Sequence, residues 1–213
     1  MLSFTFSMLS FSQTRMIVNK GIGLSNFAGY AKPITTLSQV PINIKDSAEA
    51  VLNKALGNLR PEAKFEHGQI IDTEAYSKIK NNNIANLNIP KYEFIFILAD
   101  LSLGIKQYAI KVELTGSGKL IKLNWPKSGY TNKPALYPLD SVKTAVIKRA
   151  KKLNLNLKNY EIEFEYDADT QKLWWKFNFI SSKKASTRYK SIAINWANLS
   201  EIAISEIDKV TVY

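Results

Sequence analysis

Two segments of this 213-residue chain repeat one pattern, and this repetition constrains the fold more than any other feature. The segment "DSAEAVLNKAL" begins at Asp46, and "DSVKTAVIKRA" begins at Asp140. An Asp-Ser pair offers side-chain oxygens that accept hydrogen bonds from the free amides at the start of a helix. We therefore predict one helix from each segment, with its N-cap at the Asp-Ser pair.

Each predicted helix carries one apolar stripe at helical spacing. The stripe of the first helix consists of Ala48, Val51, Leu52, Ala55, Leu56 and Leu59. The stripe of the second helix is narrower and consists of Val142, Ala145, Val146, Ala150 and Leu153. Apolar residues three and four positions apart lie on one side of a helix, so each helix is predicted to cover a core.

Alternation of apolar and polar residues, typical of strands, follows each predicted helix. After the first helix it runs through "AKFEHGQI", "KYEFIFILAD" and "QYAIKVELTGSGKLIKLNW". After the second it runs through "YEIEFEYD", "KLWWKFNFIS" and "RYKSIAINW", and Tyr108 and Tyr189 begin corresponding late strands. The predicted fold class is α+β, with two tandem units, each a helix packed on an antiparallel three- to four-stranded sheet.

The domain boundaries follow from composition. We predict the first unit at residues 46–125, a linker at 126–139 and the second unit at 140–213. The linker holds "PKSGYTNKPALYP", which has three prolines and no periodicity. Residues 13–45, with scattered glycines and prolines, are predicted to form an extended leader.

The first residues, "MLSFTFSMLSFS", resemble the end of a bacterial secretory signal. Small residues flank Phe11, and cleavage would fall after Ser12, so residues 1–12 are predicted to be a signal-peptide remnant. The first 45 residues are also Ser-rich and contain no acidic residue, which fits an organellar transit peptide. A frayed or sheet-forming N terminus is the third interpretation.

The stretch "QKLWWKFNFISSKKASTRYKSIAINW" mixes aromatic and basic residues, as in proteins that bind single-stranded nucleic acid. Strand alternation places Leu173, Trp175, Phe177 and Phe179 on one face, which is typical of a core face. Only Trp174 and Tyr189 are then predicted to be exposed aromatic contacts. We therefore favour a structural role for this stretch.

The formal net charge is +11, and the basic residues are spread along the chain. Two groups of cations, at the end of the second helix and on the late hairpin, would form a cationic patch if they meet in space. The predicted patch consists of Lys148, Arg149, Lys151, Lys152, Lys183, Lys184, Arg188 and Lys190. A solvated helix end and a solvated loop are the alternative.

The order helix–β–β–β, with "DADTQKLWWKFNF" followed by "YKSIAINWANLSEI", resembles the PepSY-like family. The resemblance covers residues 46–125 and 140–204, although the closing Asp-x-x-x-Gly turn of the family is missing here. Tandem units of this shape also resemble the beta-lactamase-inhibitor architecture. The resemblance implies exported proteins of the bacterial envelope whose modules bind or inhibit other proteins.

Motifs for chemistry are absent from the sequence. There is no cysteine, and His67 is the only histidine, so we predict no catalytic residue, no metal site and no cofactor. "TGSGKL" lacks the spacing of a phosphate loop and is predicted to be a hairpin turn, as is "DADTQ". Glu161, Glu163 and Glu165 alternate along a strand and are predicted to form a solvated face.

The functional prediction is an exported, non-enzymatic module, periplasmic or secreted, that binds another protein and has an inhibitor-like architecture. The alternative is a basic subunit of a larger assembly, such as a mitochondrial or plastid ribonucleoprotein, that contacts RNA phosphates. Nucleic acid is the less favoured partner. No apolar run approaches the ~20 residues that a membrane span requires.

Overall fold

The computed structural model describes residues 13–18, 22–79, 89–127, 136–183 and 187–209. Across these residues the chain is a mixed α and β protein with two β-sheets and few helices. The predicted signal-peptide remnant, residues 1–12, lies outside them.

The described part of the chain contains few helices. The α-helices are α1 (Ile42–Leu56), α2 (Thr73–Ile79) and α3 (Leu139–Lys152). Short 3-10 helices lie at Leu37–Gln39 and Gly57–Glu62. The two predicted helices correspond to α1 and α3, and α2 was not predicted.

Both long helices begin before their predicted caps. Pro41 and Pro138 are extended, and their carbonyls accept the first helical hydrogen bonds, for example from Ile44 N at 3.0 Å. The prolines are thus the N-cap residues, without a side-chain cap, and the Asp-Ser pair lies inside each helix. Ser47 is therefore inside α1, where its hydroxyl donates to Asn43 O at 2.8 Å.

Ten strands form two five-stranded sheets. The first sheet contains, in spatial order, β2 (Ala31–Ile34), β3 (Ala63–Ile71), β4 (Tyr92–Asp100), β5 (Ile105–Leu114) and β6 (Leu120–Leu123). The second sheet contains β1 (Gln13–Val18), β7 (Asn159–Asp167), β8 (Lys172–Lys183), β9 (Thr187–Asn195) and β10 (Asn198–Lys209). All neighbours are antiparallel except β1 and β7, which are parallel.

Residues 13–45, predicted to be an extended leader, contribute one strand to each sheet. β1 pairs with β7, and β2 pairs with β3, so each added strand lies beside the first strand that follows a long helix. Within it β1 and β2 are strands of the sheets, whereas Leu37–Gln39 forms a 3-10 helix and α1 already begins at Ile42. The physical reason is that the open edges of β3 and β7 present unpaired backbone groups that an extended segment can satisfy.

The predicted apolar patterns form the core. The buried residues of α1 include Ala48, Leu52, Ala55 and Leu56, and those of α3 are Val142, Val146 and Ala150. Leu173, Trp175, Phe177 and Phe179 of β8 are fully buried, which confirms the predicted core face. These side chains belong to one hydrophobic core that both sheets share.

Four aromatic rings join the two halves of this core. Tyr108 and Trp125 come from the first half of the chain, and Phe164 and Trp196 come from the second. The ring centre of Phe164 lies 5.1 Å from that of Tyr108 and 5.0 Å from that of Trp196. Edge-to-face aromatic pairs each add about 0.5–1.5 kcal/mol beyond area burial, so this cluster ties the halves together.

The ends of the predicted linker are fixed by hydrogen bonds to the two halves. The indole of Trp125, just before the linker, donates to Ala55 O of α1 at 3.2 Å. The indole of Trp196 donates to Tyr137 O, near the end of the linker, at 3.0 Å. Residues 128–135 in its middle lie outside the described residues.

Both predicted hairpin turns are confirmed. "TGSGKL" connects β5 to β6, with Gly118 at φ 84° and its amide bonded to Thr115 O at 3.0 Å. "DADTQ" connects β7 to β8, and the Asp167 carboxylate accepts from Thr170 Oγ1 at 2.7 Å and from Asp169 N at 3.0 Å. These hydrogen bonds, of which the one from the Thr170 hydroxyl counts most, hold the pKa of Asp167 below its ordinary value.

A buried ionic network fastens the segment before β2 onto the outer face of the first sheet. Glu93 is completely buried; it accepts from Ser25 Oγ at 2.6 Å, from Ser25 N at 2.8 Å and from Gln69 Nε2 at 2.8 Å. Lys111 Nζ lies 3.1 Å from Glu93 Oε1 and 3.0 Å from Glu113 Oε1. Glu93 and Glu113 are direct cross-strand neighbours, so the Lys111 ammonium offsets a like-charge pair.

The aromatic cluster predicts that the two halves unfold together. Phe164→Ala should lower the free energy of unfolding by about 3–5 kcal/mol because it removes a buried ring from the joint. Urea denaturation followed by tryptophan fluorescence and by circular dichroism should show one coincident transition. Leu101→Ala, at an exposed turn, is the control and should change stability by no more than about 0.5 kcal/mol. Separate transitions for the two probes would contradict the shared core.

The Glu93 network predicts a pH-dependent loss of stability. Burial alone would raise the pKa of Glu93, but hydrogen bonds from Ser25 and Lys111 hold it below its ordinary value of 4.5. Because the folded-state pKa is the lower one, Glu93 stabilises the fold above pH 4.5, and this contribution is lost as pH falls through the folded-state pKa.

Glu93→Gln should therefore lower the free energy of unfolding by about 3 kcal/mol at neutral pH, because it leaves the buried Lys111 with one carboxylate fewer. Urea midpoints measured from about pH 6 to pH 3 should fall less steeply in this variant than in the parent. The exposed Glu66→Gln is the matched control. Equal slopes for parent and Glu93→Gln would contradict the assignment.

Candidate functional site

The eight predicted patch residues are divided in the structure. Four lie on α3: Lys148, Arg149, Lys151 and Lys152. Arg188 and Lys190 lie on β9, while Lys183 and Lys184 are outside the described side chains. The two described groups differ in whether carboxylates neutralise them.

The β9 cations are paired across the strands with β10. Arg188 Nε lies 2.9 Å from Asp208 Oδ1, and Lys190 Nζ lies 4.0 Å from Glu206 Oε1. The hydrogen bond from Arg188 to Asp208 raises the pKa of the guanidinium above its ordinary value. Direct cross-strand registry places these four residues opposite each other, so the β9 cations are largely neutralised within the sheet.

The α3 cations are not paired in this way. All four are exposed, and no carboxylate of the described residues lies within ion-pair distance of them. Arg149, Lys151 and Lys152 are in the last turn of α3, where cations interact favourably with the negative end of the helix dipole. That interaction accounts for their place on the helix and leaves their charge available to a ligand.

One side of α3 forms a shallow groove with the edge of the second sheet. A pocket of about 140 Å³ is lined by Ala145, Lys148, Arg149, Lys152 and Ile202. Ile204 follows Ile202 on the same face of β10, because the two are two residues apart in the strand. We call this surface, from Lys148, Arg149 and Lys152 to Ile202 and Ile204, the α3–β10 groove.

The floor of the groove is apolar and accessible. Ile202 and Ile204 are each 39% exposed, although they pair with Ile194 and Ile192, which are fully buried. Ile202 and Ile204 thus place apolar surface beside the α3 cations. The α3–β10 groove therefore combines apolar contact with positive charge.

The other face of the second sheet does not suit nucleic acid. Tyr189, predicted to be exposed, is only 7% exposed, and its hydroxyl points toward Glu161 Oε1 at 3.5 Å. Trp174 is half-buried on the same face, where Glu165 pairs with Lys176 at 2.7 Å. The prediction for Tyr189 was wrong because its ring lies back along the sheet toward β7.

Tyr108 and Tyr189 also differ in orientation, although the sequence places them at corresponding positions. Tyr108 is in the core, and Tyr189 shares the opposite face of its sheet with Ser191 and Asn178. Asn178 and Ser191 are buried neighbours whose side-chain polar atoms have no described hydrogen-bond partner. Both are too enclosed to contact a ligand.

Groups that could support catalysis are tied into structural interactions. Ser25 and Lys111 are adjacent, with Lys111 Nζ 2.8 Å from Ser25 Oγ. Lys111 Nζ also lies beside Glu93 and Glu113, so this pair belongs to the buried network around Glu93. Among the described residues, no group of three His, Cys, Asp or Glu side chains could hold a metal ion.

Sequence reasoning identified the cations of the groove but missed its isoleucines. β10 lies beyond the last predicted strand, and "EIAISEID" has apolar residues at Ile202, Ala203 and Ile204 in succession. The signal that could have found the strand is its β-branched content, since isoleucine favours strands. Which face of β10 meets α3 depends on its register with β9.

Comparison with protein-family models, with curated proteins and with solved structures finds no match to this chain. No helix within the described part of the chain is long and apolar enough to cross a membrane.

Proposed function

We propose that this chain is a non-enzymatic module that binds another protein through the α3–β10 groove. The observation that carries the proposal is the exposure of Ile202 and Ile204 beside three cations that have no carboxylate partner among the described residues. Protein interfaces combine an apolar centre with charged groups that set orientation and specificity. A solvated helix end alone would not explain the exposed isoleucines.

We further propose that the chain is a tandem PepSY-like protein with an inhibitor-like architecture. Support comes from the order of elements, in which α1 and α3 are each followed by four strands of one sheet. In this proposal the two helix-on-sheet units are copies of one unit, and they share a single hydrophobic core. The partner is then another protein, as the resemblance implies.

The second candidate function is a basic subunit of a ribonucleoprotein. The four exposed cations of α3 and the net charge of +11 favour it, because phosphates bind Lys and Arg. The described groove presents no aromatic side chain on which a base could stack, which favours the protein partner.

Photocrosslinking in native extract tests the choice of partner. A photoreactive phenylalanine analogue in place of Ile204 should yield protein adducts, whereas the analogue in place of Ile42, which is exposed at the start of α1, should not. Adducts that nuclease removes and that mild salt abolishes would support the ribonucleoprotein instead.

Charge variants make this experiment specific to the groove. Arg149→Glu with Lys152→Glu should abolish the Ile204 adducts, while Lys143→Glu with Lys151→Glu, on the other side of α3, changes charge equally and should preserve them. Both double variants should stay folded by circular dichroism, with a slightly lower melting temperature for Arg149→Glu with Lys152→Glu, because both of those residues lie in the last turn of α3. Equal loss in both pairs would contradict binding at the groove.

We also propose export to the periplasm or beyond the cell, with cleavage after Ser12; a mitochondrial or plastid location is the alternative. Cleavage there would keep the described residues of β1, Gln13–Val18, for pairing with β7. Mass spectrometry of the native protein should find Gln13 as the first residue. A native chain that still begins at Met1 would exclude this processing.

A further inference from the structure

Charge is divided along the face of β10 that points toward α3. Four residues alternate on this face: Ile202, Ile204, Glu206 and Asp208. The cations of α3 are at the Ile202 end, where Lys148, Arg149 and Lys152 line the same pocket as Ile202. The carboxylates lie four and six residues further along, about 13–20 Å away at the rise of a strand. The face is therefore positive at one end and negative at the other.

The two carboxylates are accessible, although each has a cation across the strand. The side chain of Glu206 is 65% exposed, and its carboxylate lies 4.0 Å from Lys190 Nζ. The side chain of Asp208 is 53% exposed, and its carboxylate lies 2.9 Å from Arg188 Nε. Ion pairs this open to water are weak, because water competes for both partners. Both carboxylates can therefore bind a further cation.

β10 is also the open edge of its sheet. Its only described neighbour is β9, so the backbone groups on its far side have no described strand partner. An irregularity between Asn198 and Ile202 interrupts the ladder, and the regular stretch begins at Ile202. Charges that point inward at an edge deter strands that bring no opposite charge. The edge is therefore suited to a strand whose charges match those of this face.

A second copy of the chain has the matching arrangement. When two copies of β10 pair antiparallel about a two-fold axis, the Ile202 end of each strand lies against the Glu206 end of the other. With Ile204 on the axis, Ile202 lies directly opposite Glu206 of the second copy. The axis is perpendicular to the sheet, so both α3 helices are on the same face. The cations of each α3 then meet the carboxylates of the other copy.

We propose that two copies of the chain pair through β10 and close the α3–β10 groove between them. The inference rests on the proposed function of the groove and adds its regulation, since a partner and the second copy compete for one surface. A uniformly acidic strand would be repelled by Glu206 and Asp208, and a uniformly basic strand by α3. The second copy satisfies both ends, and the symmetry forms each contact twice.

Sedimentation of the purified full chain tests for self-association. One strand pair with its neighbouring side chains is a small interface, and small interfaces are transient. Sedimentation velocity should therefore show mostly monomer at about 1 µM and a substantial fraction of dimer at about 500 µM. A chain that remains monomeric throughout this range would overturn the proposal.

A single engineered thiol tests the position of the axis. The chain contains no cysteine, so Ile204→Cys introduces a unique thiol that a short bifunctional maleimide should link to the thiol of the second copy. Leu101→Cys, at the exposed turn between β4 and β5, is the matched control and should stay unlinked under the same conditions. Equal rates of crosslinking in the two variants would indicate random collisions and contradict the paired strands.

Charge reversal identifies the two sides of the contact. Arg149→Glu with Lys152→Glu makes the face acidic at both ends, and Glu206→Lys with Asp208→Lys makes it basic at both ends. Each double variant alone should dimerise at least about tenfold more weakly than the parent, whereas an equimolar mixture should form mixed dimers. If both variants are folded by circular dichroism and the mixture stays monomeric, the contact is wrong.

A second pair of charges on α3 is the control for this experiment. Lys143→Glu with Lys151→Glu lies on the other side of the helix and should dimerise like the parent. Loss of the dimer in this variant as well would mean that net charge, and not the contact at β10, controls association. The parent chain and Ile204→Cys decide the question if a charge variant fails to fold.

The masses of the Ile204 photoadducts separate this inference from the proposed function. If native extract yields adducts with another protein while the purified chain stays monomeric, the proposed function holds and self-association is wrong. If every adduct has twice the mass of the chain, self-association holds and the other protein partner is wrong. If dilution of the chain replaces self-adducts by adducts with another protein, both proposals hold. If neither adduct forms, both fail.

Discussion

The packing of aromatic rings between the two halves is the contact on which the rest of the structure depends. Phe164 lies between Tyr108 of the first sheet and Trp196, which follows β9, and Trp125 completes the cluster. Both halves of the chain contribute to the burial of these rings, so α1 and α3 can bury their apolar stripes in one core. A unit of ~60–70 residues is only marginally stable alone, so sharing a core has a clear advantage for each half.

The N-terminal strands decide which edges of the sheets remain open. β1 covers the β7 edge of the second sheet and β2 covers the β3 edge of the first. Within the second sheet this leaves β10 as the edge beyond β9, beside the basic side of α3. The position of the groove is thus a consequence of topology: α3 turns one side to the core, and the charged side next to it borders the open edge.

The sequence predicted the local structure of each segment better than it predicted which segments pair with each other. The apolar stripe of α3 and the alternation from Leu173 to Phe179 appear as predicted. An element with one buried face has apolar residues at the spacing of that face, which is 3.6 residues in a helix and two in a strand. β1 was missed because its structure depends on pairing with β7, far along the chain. In the same way, the pairing of Arg188 with Asp208 follows from the register of β9 and β10, which the local pattern does not specify.

The sequence by itself determined the two helices, most strands, the hairpin turns and the basic residues of α3, since each depends on side chains close together in the chain. Tertiary structure alone decided that the halves share one core, that Tyr189 is buried and that Ile202 is beside Arg149. These features depend on contacts between distant segments. The physical reason is that periodicity specifies which face of an element is apolar, whereas the surface that covers that face is supplied by another part of the chain.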